Sequence, residues 1–505
     1  MKNRWRWYTS WVLVGVLLIG ALVAVTAITT AQQKQRITLR LILAAPAERW
    51  EFLLPEAEKV FEAENPDIDL DIQADITPFG ERLTKQRAAA AARTPVDIVS
   101  FDQPEVGEFA AAGFAADLTD RIAQGDANDP GLRNLNAWFG PNGAATQVGG
   151  RWHAIWAWTD ARLLWYWKDL VAQAGVNPAT DMLTWGDYID SCQRLDETLA
   201  GRRIEGCLLI GQPWIADWTL PYVWMQGGDI GVDVNADVAR RFGAEEAWVP
   251  TFDTVEWKTA LAFTRAQVDA GIDPFTEHQF GPAFVSRRWA TWLGGTWVLG
   301  RLKNAGVDLS NVGLLGAFPV PAPGVATATM AGGWTLGIAT TSRNPDIAWE
   351  FVKVMLREET LGKMTVQFGF LPTRADFAQN LESQFRAVWN EGNVDRWSEI
   401  KKLQPNAFGR PSFPTWPQVG AAITDMIQQV QFDNTNPADA AAEAQRTVLD
   451  LLDWPAGTRA TLHDDQADGS CAHPGVDLAI AAVTPGQTLT DTNGDGTVCT
   501  HLQLP

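Results

Sequence analysis

Apolar and polar positions after residue 36 alternate between strand-like and helix-like periods. Residues 37–44 (ITLRLILA) alternate weakly and are rich in branched side chains, which predicts a buried first strand. Residues 50–64 place their apolar side chains three or four positions apart, which predicts a helix. An Asn-Pro-Asp sequence at residues 65–67 ends that helix, and residues 68–72 are a predicted second strand.

The same alternation continues as far as residue 113. Residues 80–93 are a predicted alanine-rich helix, residues 95–100 a third strand that leads into Asp102, and residues 105–113 a helix closed by a glycine. Strand–helix alternation predicts a parallel sheet with helices on both faces. Ligands bind beyond the carboxyl ends of the strands in such sheets, so Asp102 is a candidate ligand-binding residue.

A tryptophan-rich stretch, residues 149–170 (GGRWHAIWAWTDARLLWYWKDL), departs from this pattern. It places five indoles around Asp160, in a chain that has 25 tryptophans and only 4 tyrosines. An indole combines a large apolar face with one N–H donor, and a sugar ring offers a matching apolar face with hydroxyls at its edge. We hypothesise that this stretch forms one wall of a carbohydrate cleft. The alternative is that the indoles belong to a tryptophan-rich core.

Length, composition and charge narrow the class of protein. A chain of 505 residues exceeds one average domain and predicts two lobes with additional segments. Its 46% apolar and 20% charged residues are typical of a globular protein. The formal net charge of −20 repels phosphate backbones, so nucleic acid is not an expected partner.

The N-terminus indicates export. Lys2, Arg4 and Arg6 precede residues 11–31, which carry no charge. A basic flank, an apolar run and then small residues are typical of a secretory signal. The run is also long enough to span a bilayer as an uncleaved membrane anchor. Both alternatives place the rest of the chain outside the cytoplasm, in the periplasm or at the cell surface.

The four cysteines form two pairs of sequence neighbours. They are Cys192 with Cys207, and Cys471 with Cys499. In an exported chain these pairs predict two local disulfides. No C-x-x-C spacing occurs, which leaves a zinc site or a thioredoxin-type motif without support.

From residue 456 onward the composition shifts to Gly, Asp, Thr and Pro, which predicts an appended segment. Near its end, oxygen-bearing residues alternate before a glycine, as in a calcium loop. The candidate metal ligands are Asp491, Asn493, Asp495 and Thr497. The twelfth loop position is Leu502, which has no side-chain oxygen, so weak calcium affinity is expected. The alternative is an Asx-rich turn closed by the last two cysteines. No cofactor is expected to be required, and calcium is the one candidate.

Several fragments occur along the chain in a recognisable order. They are residues 61–68 (FEAENPDI), 95–99 (PVDIV), 109–113 (FAAAG), 166–170 (YWKDL), 332–338 (GGWTLGI) and 369–374 (GFLPTR). Together they resemble the extracellular solute-binding protein family 1, the carbohydrate-capturing subunits of ABC importers. The resemblance spans roughly residues 37–455. Trp167 departs from it, because the family usually has asparagine there.

The resemblance implies an α/β fold of the two-lobe periplasmic-binding-protein type, with a hinge and a ligand cleft between the lobes. It divides the chain into a signal peptide or anchor (1–36), a first lobe (37–147 with 328–368), a second lobe (148–327 with 369–455) and a C-terminal extension (456–505). Closure on the ligand would then be a hinge motion.

Candidate ligand-binding residues follow from position and side-chain type. Sugar hydroxyls donate and accept hydrogen bonds, so a sugar site needs carboxylates and guanidinium groups besides aromatic faces. The aromatic candidates are Trp156, Trp158, Trp218, Trp224, Trp297 and Trp334, with Gly333 where the backbone would approach the ligand. The polar candidates are Asp102, Asp160, Arg374 and Arg410. Alternatively, several indoles are core residues, Asp160 caps a helix that begins at Ala161, and the two arginines form surface or inter-lobe salt bridges.

The resemblance implies a monomeric exported protein that captures a sugar or oligosaccharide and presents it to an ABC membrane permease. We expect no enzymatic activity, because Gly-x-Ser-x-Gly, phosphate-loop and His-Glu-x-x-His motifs are absent from the sequence. Two alternatives remain. One is a glycoside-active secreted enzyme, whose paired carboxylates would meet only in space. The other is a ligand-sensing protein coupled to a receptor.

Overall fold

A computed structural model of the chain describes residues 34–44, 46–141, 146–211, 216–234, 239–240, 244, 246–276, 280–391, 393–464, 477–482 and 497–503. Within these ranges, no helix combines the length and the apolar character that crossing a membrane requires.

Helices occupy about half of the described chain. They are α1 (Ala47–Glu64), α2 (Phe79–Ala91), α3 (Val106–Ala111), α4 (Thr119–Gln124), α5 (Lys168–Gln173), α6 (Pro178–Asp181), α7 (Trp185–Leu199), α8 (Ala216–Trp224), α9 (Val255–Asp269), α10 (Phe280–Val285), α11 (Val298–Asn304), α12 (Pro345–Met355), α13 (Lys363–Phe368), α14 (Ala375–Trp389), α15 (Arg396–Leu403), α16 (Trp416–Phe432) and α17 (Pro437–Leu451).

Strands alternate with these helices along most of the chain. They are β1 (Gln35–Ala44), β2 (Ile68–Thr77), β3 (Ile98–Asp102), β4 (Gln147–Val148), β5 (Arg151–Trp152), β6 (Ile155–Trp167), β7 (Glu205–Ile210), β8 (Gly231–Asp233), β9 (Trp248–Pro250), β10 (Pro274–Phe275), β11 (Trp289–Gly295), β12 (Val312–Leu315), β13 (Thr329–Ile338), β14 (Leu371–Pro372), β15 (Ala407–Phe408), β16 (Arg459–Asp464), β17 (Asp477–Ala482) and β18 (Thr497–Gln503).

One large sheet connects most of these strands, in the order β10-β7-β11-β6-β13-β3-β1-β2. β1 pairs in parallel with β2 on one side and with β3 on the other. β13 then returns antiparallel beside β3, and β6 runs antiparallel to β13. Side chains of β1 point alternately into two cores, with Leu41 and Leu43 in one and Ile42 in the other. The parallel sheet covered on both faces is therefore confirmed for this part of the chain.

β6 is the strand that links the two halves of the sheet. As far as Ala161 it pairs with β13, and from Arg162 onward it pairs with β11. All but one of its thirteen residues are buried, so it is covered on both faces and lacks the alternation of a half-exposed strand. The tryptophan-rich stretch thus forms the centre of the sheet.

Two large hydrophobic cores lie on either side of this crossing. One contains Trp50 and Trp158, and we call the body around it the first lobe. The other contains Ala161, Trp165 and Trp257, and we call the body around it the second lobe. The change from one core to the other within β6 thus falls between residues 158 and 161. The lobe limits given by the resemblance stay a prediction.

The predicted elements of the first lobe are confirmed, with shifted ends. β1, α1, β2 and α2 occupy the predicted positions. β3 begins at Ile98 rather than at residue 95, where Pro95 has no N–H to donate to a ladder. The helix predicted at residues 105–113 is a 3₁₀ turn followed by α3. It ends before Gly113, which adopts the left-handed φ of +64°.

The predicted disulfide between Cys192 and Cys207 is confirmed. It joins α7 to β7 within the second lobe and closes a loop with a sequence separation of 15 residues. A crosslink of this kind stabilises the fold mainly by restricting the unfolded chain. Cys471 lies outside the described residues, so its disulfide with Cys499 stays a prediction.

Candidate functional site

Two glycines allow close packing where β6 and β13 cross between the lobes. Asp160 lies opposite Gly332 in the antiparallel register. A Cβ on Gly332 would lie 2.7 Å from a guanidinium nitrogen of Arg162, and a Cβ on Gly333 would lie 2.0 Å from the indole nitrogen of Trp156. A Cβ on Gly333 would also lie 2.4 Å from the backbone oxygen of Trp158, so Gly333 excludes a side chain, whereas a side chain at position 332 would require Arg162 to move. Gly333 makes room for an indole here, whereas the sequence predicted that it makes room for a ligand.

Asp160 lies in the middle of β6 and forms an ion pair with Arg162. Residues two apart on a strand point to the same face, which brings these two side chains together. The guanidinium carbon of Arg162 also lies 5.5 Å from the ring centroid of Trp218. Because β6 is one continuous strand, the alternative that Asp160 caps a helix at Ala161 is wrong. Asp160 and Arg162 thus place a buried acceptor and donor at the crossing.

Trp156 and Trp158, the candidates beside Asp160, are both buried, at 3% and 0% exposure. Trp158 packs edge to face against Trp50, with ring centroids 5.1 Å apart. In the described part of the chain, neither indole nitrogen has a hydrogen-bond partner. A sugar needs an accessible ring face for stacking, and these two rings present none in this arrangement. We therefore leave them out of the site proposed below.

Trp218 and Trp224 lie in the core of the second lobe. Trp224 stacks on Phe408 with ring centroids 5.1 Å apart, and its N–H donates to the carboxylate of Asp229 at 3.0 Å. Trp218 donates its N–H to the carbonyl oxygen of Leu293. Their N–H groups are thus used in packing the lobe, and we leave these two indoles out of the site as well.

Trp297 is half-buried and packs against the cores of both lobes. It immediately precedes α11. Its ring centroid lies 5.3 Å from that of Trp292 and 5.4 Å from the guanidinium carbon of Arg301. Trp297 is thus an indole at the lobe junction with part of its surface accessible.

Trp334 is also half-buried, and two guanidinium groups lie over its ring. The guanidinium carbons of Arg49 and Arg82 are 5.5 and 4.9 Å from the ring centroid. Arg82 also forms a 2.7 Å ion pair with Glu105. Burial raises the pKa of Glu105, and the neighbouring Arg82 opposes that rise. Trp334 therefore lies in a charged part of the junction.

Arg49 is buried in the first turn of α1, among aromatic rings. It donates a hydrogen bond to the carbonyl oxygen of Ala44 at 2.9 Å, and its guanidinium carbon lies 5.2 Å from the ring centroid of Trp158. Burial, together with the nearby positive charge of Arg301, lowers the pKa of Arg49 to about 9. Arg49 is thus still charged at neutral pH, and cation–π contacts contribute to holding it.

Asp102 and Arg410 join the two lobes. Asp102 ends β3 and accepts a hydrogen bond from Arg410 at 2.8 Å. Arg410 follows β15, whose Phe408 belongs to the core of the second lobe. Close by, the N–H of Gly107 donates to the hydroxyl of Ser412 at 3.0 Å. The inter-lobe salt bridge, one of the alternatives for Arg410, is confirmed.

Arg374 belongs to an ion-pair network of its own. It donates to Asp129 at 2.6 Å and to Asp376 at 3.0 Å, and all three of its side-chain nitrogens take part. Burial alone would lower the pKa of Arg374, but the hydrogen bonds to the two aspartates outweigh burial and raise it. The salt-bridge alternative is thus confirmed for Arg374 too.

Sequence reasoning missed four arginines at the junction, namely Arg49, Arg82, Arg162 and Arg301. Two of them had a signal in the sequence. Arg49 follows closely on the carboxyl end of β1, where ligands bind in such sheets. Arg162 is two residues from Asp160 on one strand. Arg82 and Arg301 lie on helices, and no local pattern distinguishes them from surface arginines.

The predicted calcium ligands Asp491, Asn493 and Asp495 lie outside the described residues, and Thr497 begins β18. Among the residues that are described, His, Cys, Asp and Glu form no group of three or more that could hold a metal ion. The calcium loop stays a prediction.

Comparison with known sequences gives a family match over most of the chain. The family model described as bacterial extracellular solute-binding protein matches residues 44–361. A putative binding protein of Brucella abortus (strain 2308) is 22% identical over 433 residues, which cover 84% of this chain and 97% of that protein. A mannitol-binding protein of Pseudomonas aeruginosa is 26% identical over 310 residues, 58% of this chain and 63% of that protein.

Solved structures share the fold. A solute-binding protein of an ABC transporter from Thermotoga lettingae TMO, bound with α-D-tagatose, superposes with a TM-score of 0.67 and 22% identity, covering 82% of this chain and 99% of that one. The GacH receptor of Streptomyces glaucescens GLA.O was solved unliganded and with acarbose. It superposes with a TM-score of 0.62 and 24% identity, covering 82% of this chain and 98% of that one. These similarities confirm the predicted two-lobe α/β fold.

Proposed function

Because the chain belongs to the bacterial extracellular solute-binding proteins, we propose that it captures a sugar or oligosaccharide between its lobes and delivers it to the membrane permease of an ABC importer. The ligands of similar proteins support the carbohydrate part of this proposal. Two of the solved structures hold α-D-tagatose and acarbose, and one relative is a mannitol-binding protein.

The observation that carries the proposal is the pair of half-buried indoles, Trp297 and Trp334, at the lobe junction. Each has ring surface beside charged groups, which is what a sugar with an apolar face and a hydroxyl edge requires. Asp102 with Arg410, and Asp160 with its neighbouring arginine, supply carboxylate acceptors and guanidinium donors nearby. Stacking would give affinity, and the charged groups would orient the hydroxyls.

Closure of the lobes would follow from the strands that link them. β6 and β13 both run from one lobe into the other and are paired with each other where they cross. Small changes in their backbone dihedrals would rotate one lobe against the other as a hinge. The hydrogen bonds of Asp102 with Arg410 and of Gly107 with Ser412 join the lobes to each other. We propose that ligand capture stabilises this closed arrangement, which the permease then recognises.

The family is one of extracellular binding proteins, which favours capture over catalysis. We therefore propose that the chain binds oligosaccharides without cleaving them and acts as a monomer. New reducing ends after incubation of the purified protein with oligosaccharides would contradict this. We also propose that the N-terminal apolar segment directs export, as a signal or as an anchor. N-terminal sequencing of the secreted or membrane-bound protein distinguishes the two.

A thermal-shift screen over a carbohydrate library tests the proposed function. A ligand that binds only the folded state raises the free energy of unfolding by RT ln(1 + [L]/Kd), about 2.7 kcal/mol at a hundred times Kd. We expect at least one mono- or oligosaccharide to raise the Tm of the wild-type protein in a concentration-dependent way. If no neutral or acidic sugar raises it, while an amino acid or a peptide does, carbohydrate capture is wrong.

A further inference from the structure

We propose that the captured sugar carries an anionic group, a carboxylate or a phosphate ester, which Arg49 and Arg301 bind from opposite sides of the lobe junction. This deepens the proposed function and rests on it. Arg49 belongs to α1 of the first lobe, and Arg301 belongs to α11 of the second lobe.

Arg301 provides the first observation. Its guanidinium group lies over the ring of Trp297, and the residue is half-buried. Within the described ranges, the side chain of Arg301 makes no hydrogen bond or ion pair with a protein group, and the only carboxylate that acts on its charge is Glu48. A guanidinium group removed from water without a carboxylate partner is costly, and an anionic ligand would offset that cost.

The neighbourhood of Arg49 is the second observation. The positive charge of Arg301 contributes to lowering the pKa of Arg49, although the two residues belong to different lobes. The segment 368–370 packs close to both arginines. A Cβ on Gly300, the neighbour of Arg301, would lie 3.1 Å from the carbonyl oxygen of Phe368, and the ring of Phe370 lies 5.6 Å from the Arg49 guanidinium carbon. Two like charges brought together across a closing junction repel each other, and an anion between them would turn repulsion into attraction.

The charge balance of the whole junction supports the same conclusion. Among the described residues there, Arg82 pairs with Glu105, Arg162 with Asp160 and Arg410 with Asp102. Arg49 and Arg301 are left with the single carboxylate Glu48 acting on their charges, in a chain whose formal net charge is −20. Interactions between charges are screened beyond about 8–10 Å at physiological salt, so the local excess decides which ligand is favoured.

The N-terminal end of α1 adds a fixed positive potential at this place. The helix has eighteen residues, and its N-cap Pro46 makes no side-chain hydrogen bond to the first turn. The N–H groups at this end and the helix dipole favour an anion near the first turn, which contains Arg49. Glu48 is exposed and is the acidic residue of the same turn, so its carboxylate opposes a bound anion there.

Matched sugars test the inference. Isothermal titration calorimetry would compare the neutral, uronate and 6-phosphate forms of glucose, galactose and mannose, with inorganic phosphate alone as a further probe. We expect an acidic form to bind more tightly than its neutral counterpart, and the uronate and phosphate arms identify which anion is preferred. Arg301→Gln is expected to weaken binding of the acidic form tenfold to a hundredfold, because a charge-assisted hydrogen bond is lost.

Two further variants make the result specific. Arg301→Lys keeps the charge without the planar fork and should recover part of the lost affinity. Arg386→Gln removes a half-buried arginine of α14 that is paired with Glu382 on its own helix and with Asp395, and it should leave sugar affinity unchanged. Circular dichroism and Tm confirm that each variant is folded.

The possible failures are distinguishable. If neutral sugars bind best and Arg301→Gln does not change their affinity, the anionic-ligand inference is wrong while carbohydrate capture stands. If no sugar of either kind binds, the proposed function fails with it. Inorganic phosphate binding as tightly as any sugar phosphate would also overturn the inference, because the site would then recognise an anion without a sugar.

Discussion

Arg374 and Arg301 are both arginines removed in part from solvent, yet their surroundings differ in one respect. Arg374 donates to Asp129 and Asp376 through all three of its side-chain nitrogens. Arg301 lies over an indole ring, and within the described residues the exposed Glu48 is the one carboxylate that offsets its charge. The fold thus neutralises the charge of Arg374 with two paired carboxylates, whereas it pairs none with Arg301 in the described part of the chain.

We infer from this difference that Arg374 stabilises the fold and that Arg301 binds a ligand. A buried pair such as Arg374 with Asp129 fixes the geometry of its segments, and four of the five guanidinium N–H donors are used by Asp129 and Asp376. A lone guanidinium group on an aromatic face costs stability in the free protein, and binding of an anion recovers that cost. For Arg374 and Arg301, the presence or absence of a paired carboxylate among the described residues therefore indicates the role better than the position in the sequence.

Replacing Arg374, the neutralised arginine, should have the largest effect on the free energy of unfolding. We expect Arg374→Met to lower the free energy of unfolding by about 3–5 kcal/mol, because Asp129 would be left buried without its partner. Arg301→Gln in the same denaturation series should change stability by about 0.5 kcal/mol or less, or raise it, because a like charge near Arg49 is removed. Urea unfolding followed by circular dichroism measures both. Equal losses of unfolding free energy in the two variants would contradict the proposed difference between Arg374 and Arg301.

Arg357 is a second neutralised arginine, and the stability that its ion pairs contribute should depend on pH. Arg357 pairs with Asp126 at 3.0 Å and with Glu64 at 2.6 Å. Burial alone would raise the pKa of Asp126, but hydrogen bonds from the Asn128 N–H and from Arg357 lower it overall. A carboxyl group whose pKa is lowered by folding stabilises the protein above the unfolded-state pKa of about 3.9. That stability is lost as pH falls through the lower folded-state pKa.

We therefore expect Asp126→Asn to cost about 1.5–3 kcal/mol at pH 7, and the cost to shrink as pH falls from 5 to 3. Unfolding in urea at several pH values measures it. Arg301→Gln should show no such convergence with the wild type, since no carboxylate is paired with Arg301 in the described part of the chain. A cost for Asp126→Asn that stays constant down to pH 3 would contradict the ion-pair account.

Much of the fold could be predicted from the sequence because its signals are local. Strand and helix periods gave β1, α1, β2 and α2, and neighbouring cysteines gave the disulfide between α7 and β7. The residues at which strands and helices begin and end were less predictable. β3, for example, begins at Ile98 and not at Pro95. β6 escaped prediction as one strand because it is covered on both faces and therefore lacks alternation.

The candidate site was predicted less well, since the contacts that define it are distant in sequence. Asp102 and Arg410 are 308 residues apart, and Arg374 and Asp129 are 245 apart. Tryptophan density pointed correctly to residues 149–170 as a special stretch, but density does not reveal burial. Trp158 is fully buried while Trp297 keeps accessible surface, and only the packing of the two lobes decides between them.

The most direct test of carbohydrate capture at the lobe junction is the effect of Trp297→Ala on the affinity of the sugar that gives the largest thermal shift. We expect about a tenfold loss of affinity by calorimetry, which corresponds to about 1.4 kcal/mol of lost stacking and burial. Trp185→Ala is the matched control. Trp185 is another half-buried indole of the second lobe, but its ring stacks on Phe263 with centroids 4.4 Å apart. The control should lower Tm and leave affinity unchanged. Unchanged affinity in Trp297→Ala, with the protein folded, would contradict the account.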